Sequence, residues 1–326
     1  VTDRRAFLIA LGATAAAPRL ALGQFPGRTH RLGVLSASGV FDVPYWRAFR
    51  QRLRELGFVE GRNLEIVYRW SKKPTDTLFS LAADLARQNC DVLVSPGNEA
   101  ILRALEQPGG ETPIVVIAVD FDPVATGHVA SLARPGGRIT GVSALQAVLP
   151  AKRLELMKEL LPKAVRVAVL TDPSGAGQLE VARAAATRLA LEIQVLELER
   201  APYDYAAAFA EAARKRAQAM LVLGSAFFVP ARPLITRLAI EHRLPAMFHH
   251  SVWAEAGGLA SYGANFSDIF SLAADQVVRV LKGGNPGDTP IEQPTRFELV
   301  VNLRTARAIG VTIPRPVLLR ADRVIE

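Results

Sequence analysis

From His30 onward, short and almost wholly apolar runs alternate with stretches whose apolar residues recur at helical spacing. "RLGVLSAS" predicts a strand. "PYWRAFRQRLRELG" follows as a helix with Trp46, Phe49, Leu53 and Leu56 on one face, Pro44 at its start and Gly57 at its stop. "NLEIVYRW", "DVLVSPG", "PIVVIAVD" and "RITGVS" predict further strands, with "DTLFSLAADLARQ" and "NEAILRALEQ" as helices between them. Apolar strands separated by helices imply a parallel sheet covered on both faces.

"LPAKRLELMKELLP" bridges to a second series with the same grammar. Its strands are "VRVAVLTD", "LEIQVLELE", "AMLVLG", "PAMFHH" and "GLASYG", and the chain closes with a helix "FSDIFSLAADQVVRVLKGG", a turn "NPGDTP" and a strand "FELVVN". With 326 residues, the chain has the length of two domains. The expected fold class is α/β, with two doubly wound Rossmann-like lobes.

Ligands of open parallel sheets bind beyond the carboxyl ends of the strands. The loops there are "SASGVFD", "SPGN", "DFDP", "TDPSGAG", "GSAFF" and "HHS", rich in Ser, Asn, Asp, Gly and aromatic residues. Such residues also cap helices, but six such loops on two facing lobes describe the lining of a cleft. "TDPSGAG" supplies Gly175 and Gly177 of a dinucleotide fingerprint, with Glu197 or Glu199 about twenty residues on. The third glycine position holds Glu180, whose charge opposes a pyrophosphate, so the match fails. Helix starts at Ser36, Ser95, Asn98 and Ser174 favour a negative ligand end such as a carboxylate. Phe121, Phe227 and Phe228 offer apolar surface. An organic acid or amino acid with an aromatic or branched apolar body fits that set better than a sugar.

Charge and motifs narrow the function. The net charge is +8; Arg4, Arg5 and Arg19 against Asp3 give the first 23 residues +2 and leave +6 for the rest. The remaining basic residues are scattered on helix faces without interleaved aromatics, so no nucleic-acid partner is expected. The single cysteine, Cys90, excludes an internal disulfide framework and any multi-cysteine metal site. No G-x-S-x-G, Walker loop or H-E-x-x-H occurs, so no catalytic residues are assigned. His249 and His250 are adjacent on a strand end and point to opposite sides, which disfavours a shared metal. "DRRAFLIALGATAAAPRLALGQ" combines a twin arginine, a short apolar stretch and a small-x-small site at Ala21-Leu22-Gly23. It reads as an export signal cut near Gly23, giving a periplasmic protein.

The segments "AFRQRLRELGFVEGRNLEIVYRW", "PIVVIAVDFDPVATGHVASLARPGGRITGVS", "PAKRLELMKELLPKAVRVAVLTDP", "AEAGGLASYGANFSD" and "QPTRFELVVNLRTARAIGVTIP" carry a resemblance to a known family. The chain resembles the ABC-transporter substrate-binding proteins that include tryptophan- and phenylalanine-binding members, from about Arg31 to its C-terminus. Arg52 departs from the family pattern, which has a glycine there, and is expected on an exposed helix face. The resemblance implies the type I periplasmic binding protein fold, with three crossings near Ser143, Gly263 and Pro290. The implied division is a signal over 1–23, lobe 1 over 24–143 plus 264–289, and lobe 2 over 144–263 plus 290–326. Ligand-binding positions would be Ser36, Ser38, Pro96, Gly97, Asn98, Asp120, Phe121, Asp122, Asp172, Ser174, Ser225, Ala226, Phe227, His249 and His250. The implied function is that of a non-enzymatic, monomeric solute-binding subunit of an importer, without cofactor. It would take a small-molecule ligand and dock transiently on an inner-membrane ABC permease. A periplasmic α/β enzyme, or a binding protein serving a sensor, is the alternative.

Overall fold

The computed structural model describes residues 28–37, 39–71, 77–107 and 110–326. The twin-arginine segment and Ser38 therefore lie outside the described residues. The first lobe is built on β1 (His30–Ser36), β2 (Leu64–Trp70), β3 (Val92–Gly97), β4 (Ile114–Ala118) and β5 (Ile139–Ser143). They form a sheet in the order β2-β1-β3-β4-β5, with every neighbouring pair parallel. β3, β4 and β5 are buried along their whole length, as their unbroken apolar runs require of strands covered on both faces. α1 (Pro44–Glu55), α2 (Leu78–Arg87) and α3 (Glu99–Glu106) connect them. Among these, α1 buries Trp46, Phe49 and Leu53 of the stripe expected from its spacing, and Tyr45 beside them, while Leu56 caps the helix and is half-buried.

α4 (Pro150–Leu160) opens the second lobe. Its strands are β6 (Arg166–Thr171), β7 (Glu192–Glu197), β8 (Ala219–Val222), β9 (Ala246–Phe248), β10 (Ala260–Ala264), β11 (Phe297–Asn302) and β12 (Arg323–Ile325). The intervening helices are α5 (Ala176–Arg188), α6 (Tyr205–Arg214), α7 (Arg232–Glu241) and α8 (Ser251–Glu255). The sheet order is β12-β11-β10-β9-β8-β6-β7. One pair, β10 with β11, is antiparallel. β11 re-enters this sheet from the other lobe rather than through a crossover helix, so it runs against its neighbour. β12, which pairs with β11, and the short helices α10 (Leu303–Ile309) and α11 (Arg315–Arg320) were not anticipated from the sequence.

The chain changes lobes between β5 and α4, between β10 and α9 (Phe266–Leu281), and after the turn at Pro286–Asp288. α9 follows a strand of the second sheet yet packs in the first lobe, where Ile269, Phe270, Ala273 and Val277 share a core with Trp46, Phe49 and Leu53 of α1. Arg52 is not a bystander on an exposed face: its Nε donates to Asp275 Oδ1 of α9 at 2.9 Å, tying the two helices.

The crossings are tied to the sheets by buried polar groups. Arg153 of α4, fully buried, donates through Nε to the Tyr262 carbonyl of β10 at 2.8 Å and through Nη2 to Gln146 Oε1. Gln146 lies in the first crossing, and its amide donates in turn to the His249 carbonyl at 3.3 Å. Gly263 permits this approach, because a Cβ there would stand 2.0 Å from the His249 carbonyl oxygen. Burial lowers the Arg153 pKa to about 9. Among the described residues no helix is long and apolar enough to cross a membrane.

Candidate ligand-binding site

In each sheet the strand order reverses once among the helix-connected parallel strands, between β1 and β3 in the first and between β6 and β8 in the second. Loops leaving the strands on either side of a reversal go to opposite faces of the sheet, which opens a crevice at the carboxyl ends. Ser36 ends β1 and Pro96-Gly97 end β3, while Asp172 follows β6 and Ser225 follows the end of β8. Gly97 takes φ of +111°, a backbone conformation that other L-residues enter only with strain.

These loops line two cavities, an inner compartment and an outer one. The inner one, about 70 Å³, is lined by Ser36, Pro96 and Gly97 of the first lobe and by Ser225, His249 and His250 of the second. Tyr45, Trp46, Phe266 and Phe270 form its aromatic wall. The outer one, about 670 Å³, is lined by Asn98, Asp120, Phe121, Asp122, Asp172, Ser174 and Phe227. Val148, Val181 and Tyr203 also line it, although sequence reasoning assigned none of the three to the site. A second space of about 670 Å³ lies beside the crossings, lined by Asn265, Thr295 and Arg296. Tyr45, His250 and Phe266 line both that space and the inner compartment.

Of the sequence-predicted positions, Ser38 lies outside the described residues. Ala226 falls in the 3-10 turn Ala226–Ala231 that follows Ser225. The others line one or other compartment. Phe228 does not: it is fully buried in the core of the second lobe, against Tyr203 and Tyr205. Phe227, its neighbour, is 38 % exposed in the outer compartment.

Several helix starts are occupied by their own caps. Asn98 Oδ1 accepts from the Ile101 amide at 3.2 Å, Asp172 Oδ1 from the Ser174 amide at 3.0 Å, and Ser225 Oγ from the Phe227 amide at 3.1 Å. Asp122 Oδ1 caps its own turn through the Val124 amide at 2.9 Å. Gln178, fully buried on α5, holds the β8 loop in place: its amide donates to the Gly224 carbonyl at 2.8 Å, and its Oε1 accepts from the Gly224 amide at 3.0 Å. Gln178 directly follows the "TDPSGAG" loop, but a lone Gln at the start of a helix gave no sequence signal of that role.

Other buried polar atoms at the site have no hydrogen-bond partner among the described residues. They are Asn98 Nδ2 and both carboxylate oxygens of Asp120 in the outer compartment, and Nδ1 of His249 and of His250 in the inner one. Such groups are costly to leave unpaired, by about 1–3 kcal/mol each, and here they line the two compartments. Burial and the nearby Asp172 charge push the Asp120 pKa well above the usual carboxylate range. Burial keeps both histidines neutral, helped at His249 by Arg153 and at His250 by His249, Arg232 and Arg153. The His250 ring, from the second lobe, packs on Phe266 at 4.2 Å and Tyr45 at 6.2 Å between ring centroids, both from the first. No group of His, Cys, Asp and Glu side chains among the described residues could hold a metal ion.

A two-lobed α/β chain with a polar-lined cleft at facing switch points defines a binding protein. The chain belongs to the family of ABC transporter substrate binding proteins, whose model matches residues 45–325. It is 24% identical over 269 residues to a tyrosine-binding protein of Clostridioides difficile, covering 81% of this chain and 76% of the relative. The crystal structure of a conserved domain protein from Vibrio cholerae matches with a TM-score of 0.81 and 27% identity, over 91% of this chain and 100% of that one. An ABC domain from Streptococcus pneumonia in complex with L-Trp matches with a TM-score of 0.80 and 24% identity, over the same shares. The family is one of binding proteins, not enzymes.

Proposed function

We propose that this chain is the periplasmic solute-binding subunit of an ABC importer. It captures a small molecule with an aromatic or branched apolar body, of the organic-acid or amino-acid class, by closure of the two lobes. The observation that carries this reading is the set of unpartnered polar atoms, of Asn98 and Asp120 in one lobe and of His249 and His250 in the other, beside the aromatic and apolar surface of the two compartments. Unpaired groups at that density are tolerated where a ligand completes them. The assigned lobes, 24–143 with 264–289 and 144–263 with 290–326, rotate about the three crossings, and the closed form docks on the permease.

The site residues of this reading are those of the two compartments, with Ser36, Pro96, Gly97, Ser225, His249 and His250 inside. Asn98, Asp120, Phe121, Asp122, Asp172, Ser174 and Phe227 stand outside them. Mass spectrometry of the compound released by denaturing protein taken from the periplasm tests it. A single small molecule at near-equal stoichiometry is expected; the absence of any ligand together with turnover of offered solutes would contradict it. Export by the twin-arginine route is part of the same proposal. The double variant Arg4→Lys, Arg5→Lys should retain the precursor in the cytoplasm, as read by fractionation and blotting.

A further inference from the structure

The outer compartment has a charge opposite to that of the whole chain. Glu99, Asp120, Asp122, Asp172 and Glu199 line it, and among the described residues the one lining cation is Arg103. Arg103 is already paired with Glu99 at 2.6 Å. A ligand carboxylate entering this space would therefore meet carboxylates and no free guanidinium or ammonium among the lining residues.

The two buried carboxylates of this wall are not equivalent. Asp172 is satisfied by its own lobe, accepting from Ser225 Oγ and Ser174 Oγ at 2.5 Å each. Asp120 comes from the other lobe, is 3 % exposed, and has neither oxygen partnered beyond its own backbone amide. What Asp120 lacks is a donor carrying positive charge. Phe121, Val148 and Phe227 beside it offer apolar surface for the rest of such a molecule.

We propose that the charged end of the ligand is an ammonium seated on Asp120, so that the ligand is a primary amine on an aromatic or branched apolar body. A carboxylate is dispensable for binding. An ammonium supplies three N–H donors and a compact charge, and a buried charge-assisted hydrogen bond to a carboxylate is among the stronger polar contacts. The inference rests on the reading of this chain as a solute-binding subunit and replaces the organic acid of that reading with an amine.

The test is calorimetric titration of the full-length mature protein with two matched sets. One is phenethylamine, phenylalanine and 3-phenylpropionate; the other is isoamylamine, leucine and 4-methylpentanoate. At least one amine is expected to bind, with its deaminated acid failing to do so. Asp120→Asn should weaken that amine by about tenfold to a hundredfold, the loss expected for a charged hydrogen bond. Glu192→Gln, exposed at the start of β7 and lining neither compartment, should leave it within about threefold. Thermal melting of both variants checks that they fold. Binding of an acid but of neither amine, failure of both amines, or an amine affinity unchanged in Asp120→Asn would overturn the proposal. A copurified ligand without a basic nitrogen would overturn it too, while leaving the solute-binding reading intact. Chemical conversion of a probe would instead contradict that reading.

Discussion

The Ser225 hydroxyl donates to Asp172 Oδ2 at 2.5 Å, joining the loops that leave β8 and β6 on the two sides of the strand-order reversal in the second sheet. Both side chains are buried. The bond fixes one carboxylate of the cleft within its own lobe and leaves the facing Asp120 as the unpartnered one. Replacing Ser225 by Ala removes a donor from a buried carboxylate. Stability should fall by about 1.5–3 kcal/mol, the range for hydrogen bonds to charged groups. Urea denaturation of ligand-free protein reads this as a lower midpoint with an unchanged slope.

Acidification should destabilise the protein through His249 and His250. Burial depresses both pKa values in the folded state, whereas the unfolded chain titrates near the ordinary histidine value of about 6.5. Below that pH the unfolded state binds more protons than the folded state, so stability drops as pH falls. It is fully present above the unfolded value and is lost progressively toward the lower folded ones. Denaturant midpoints measured from pH 8 to pH 5 should decline below about pH 6.5. The decline should be shallower in a His249→Gln, His250→Gln variant.

Asp120 has the opposite sign. Its folded pKa is raised by burial and by Asp172, so the folded state holds its proton at pH values where the unfolded carboxyl has lost it. Its contribution is present below the unfolded value of about 4 and is lost as pH rises toward the folded one. Asp120→Asn should therefore melt higher than the wild type at pH 7 without ligand, and the gap should close toward pH 4. A lower melting temperature for the Asn variant at pH 7 would mean that the carboxylate has a partner in the free protein.

Much of this architecture was legible because the strands are apolar throughout and the helices carry clean stripes. The face with Trp46, Phe49 and Leu53 on α1 and the strand ends at Ser36, Pro96 and Asp172 follow from local pattern alone. Phe228 was not separable from Phe227 in "GSAFF", since adjacent aromatics give no periodic signal; a 3-10 turn turns one into the core and the other into the cleft. Gln178, Gln146 and Arg153 act through long-range contacts to backbone carbonyls, which no spacing in the sequence encodes. β12 is only three residues long and half exposed, too short for a pattern to emerge.

The measurement that bears most directly on the central claim is small-angle scattering of the mature protein with and without the compound that copurifies with it. That compound is recovered afterwards and weighed by mass spectrometry. A binding subunit that closes on its solute should become more compact when loaded, because ligand selects the state in which both lobes contact it. The compound should return unchanged in mass. An unaltered scattering profile, or a compound returned with a different mass, would contradict the account.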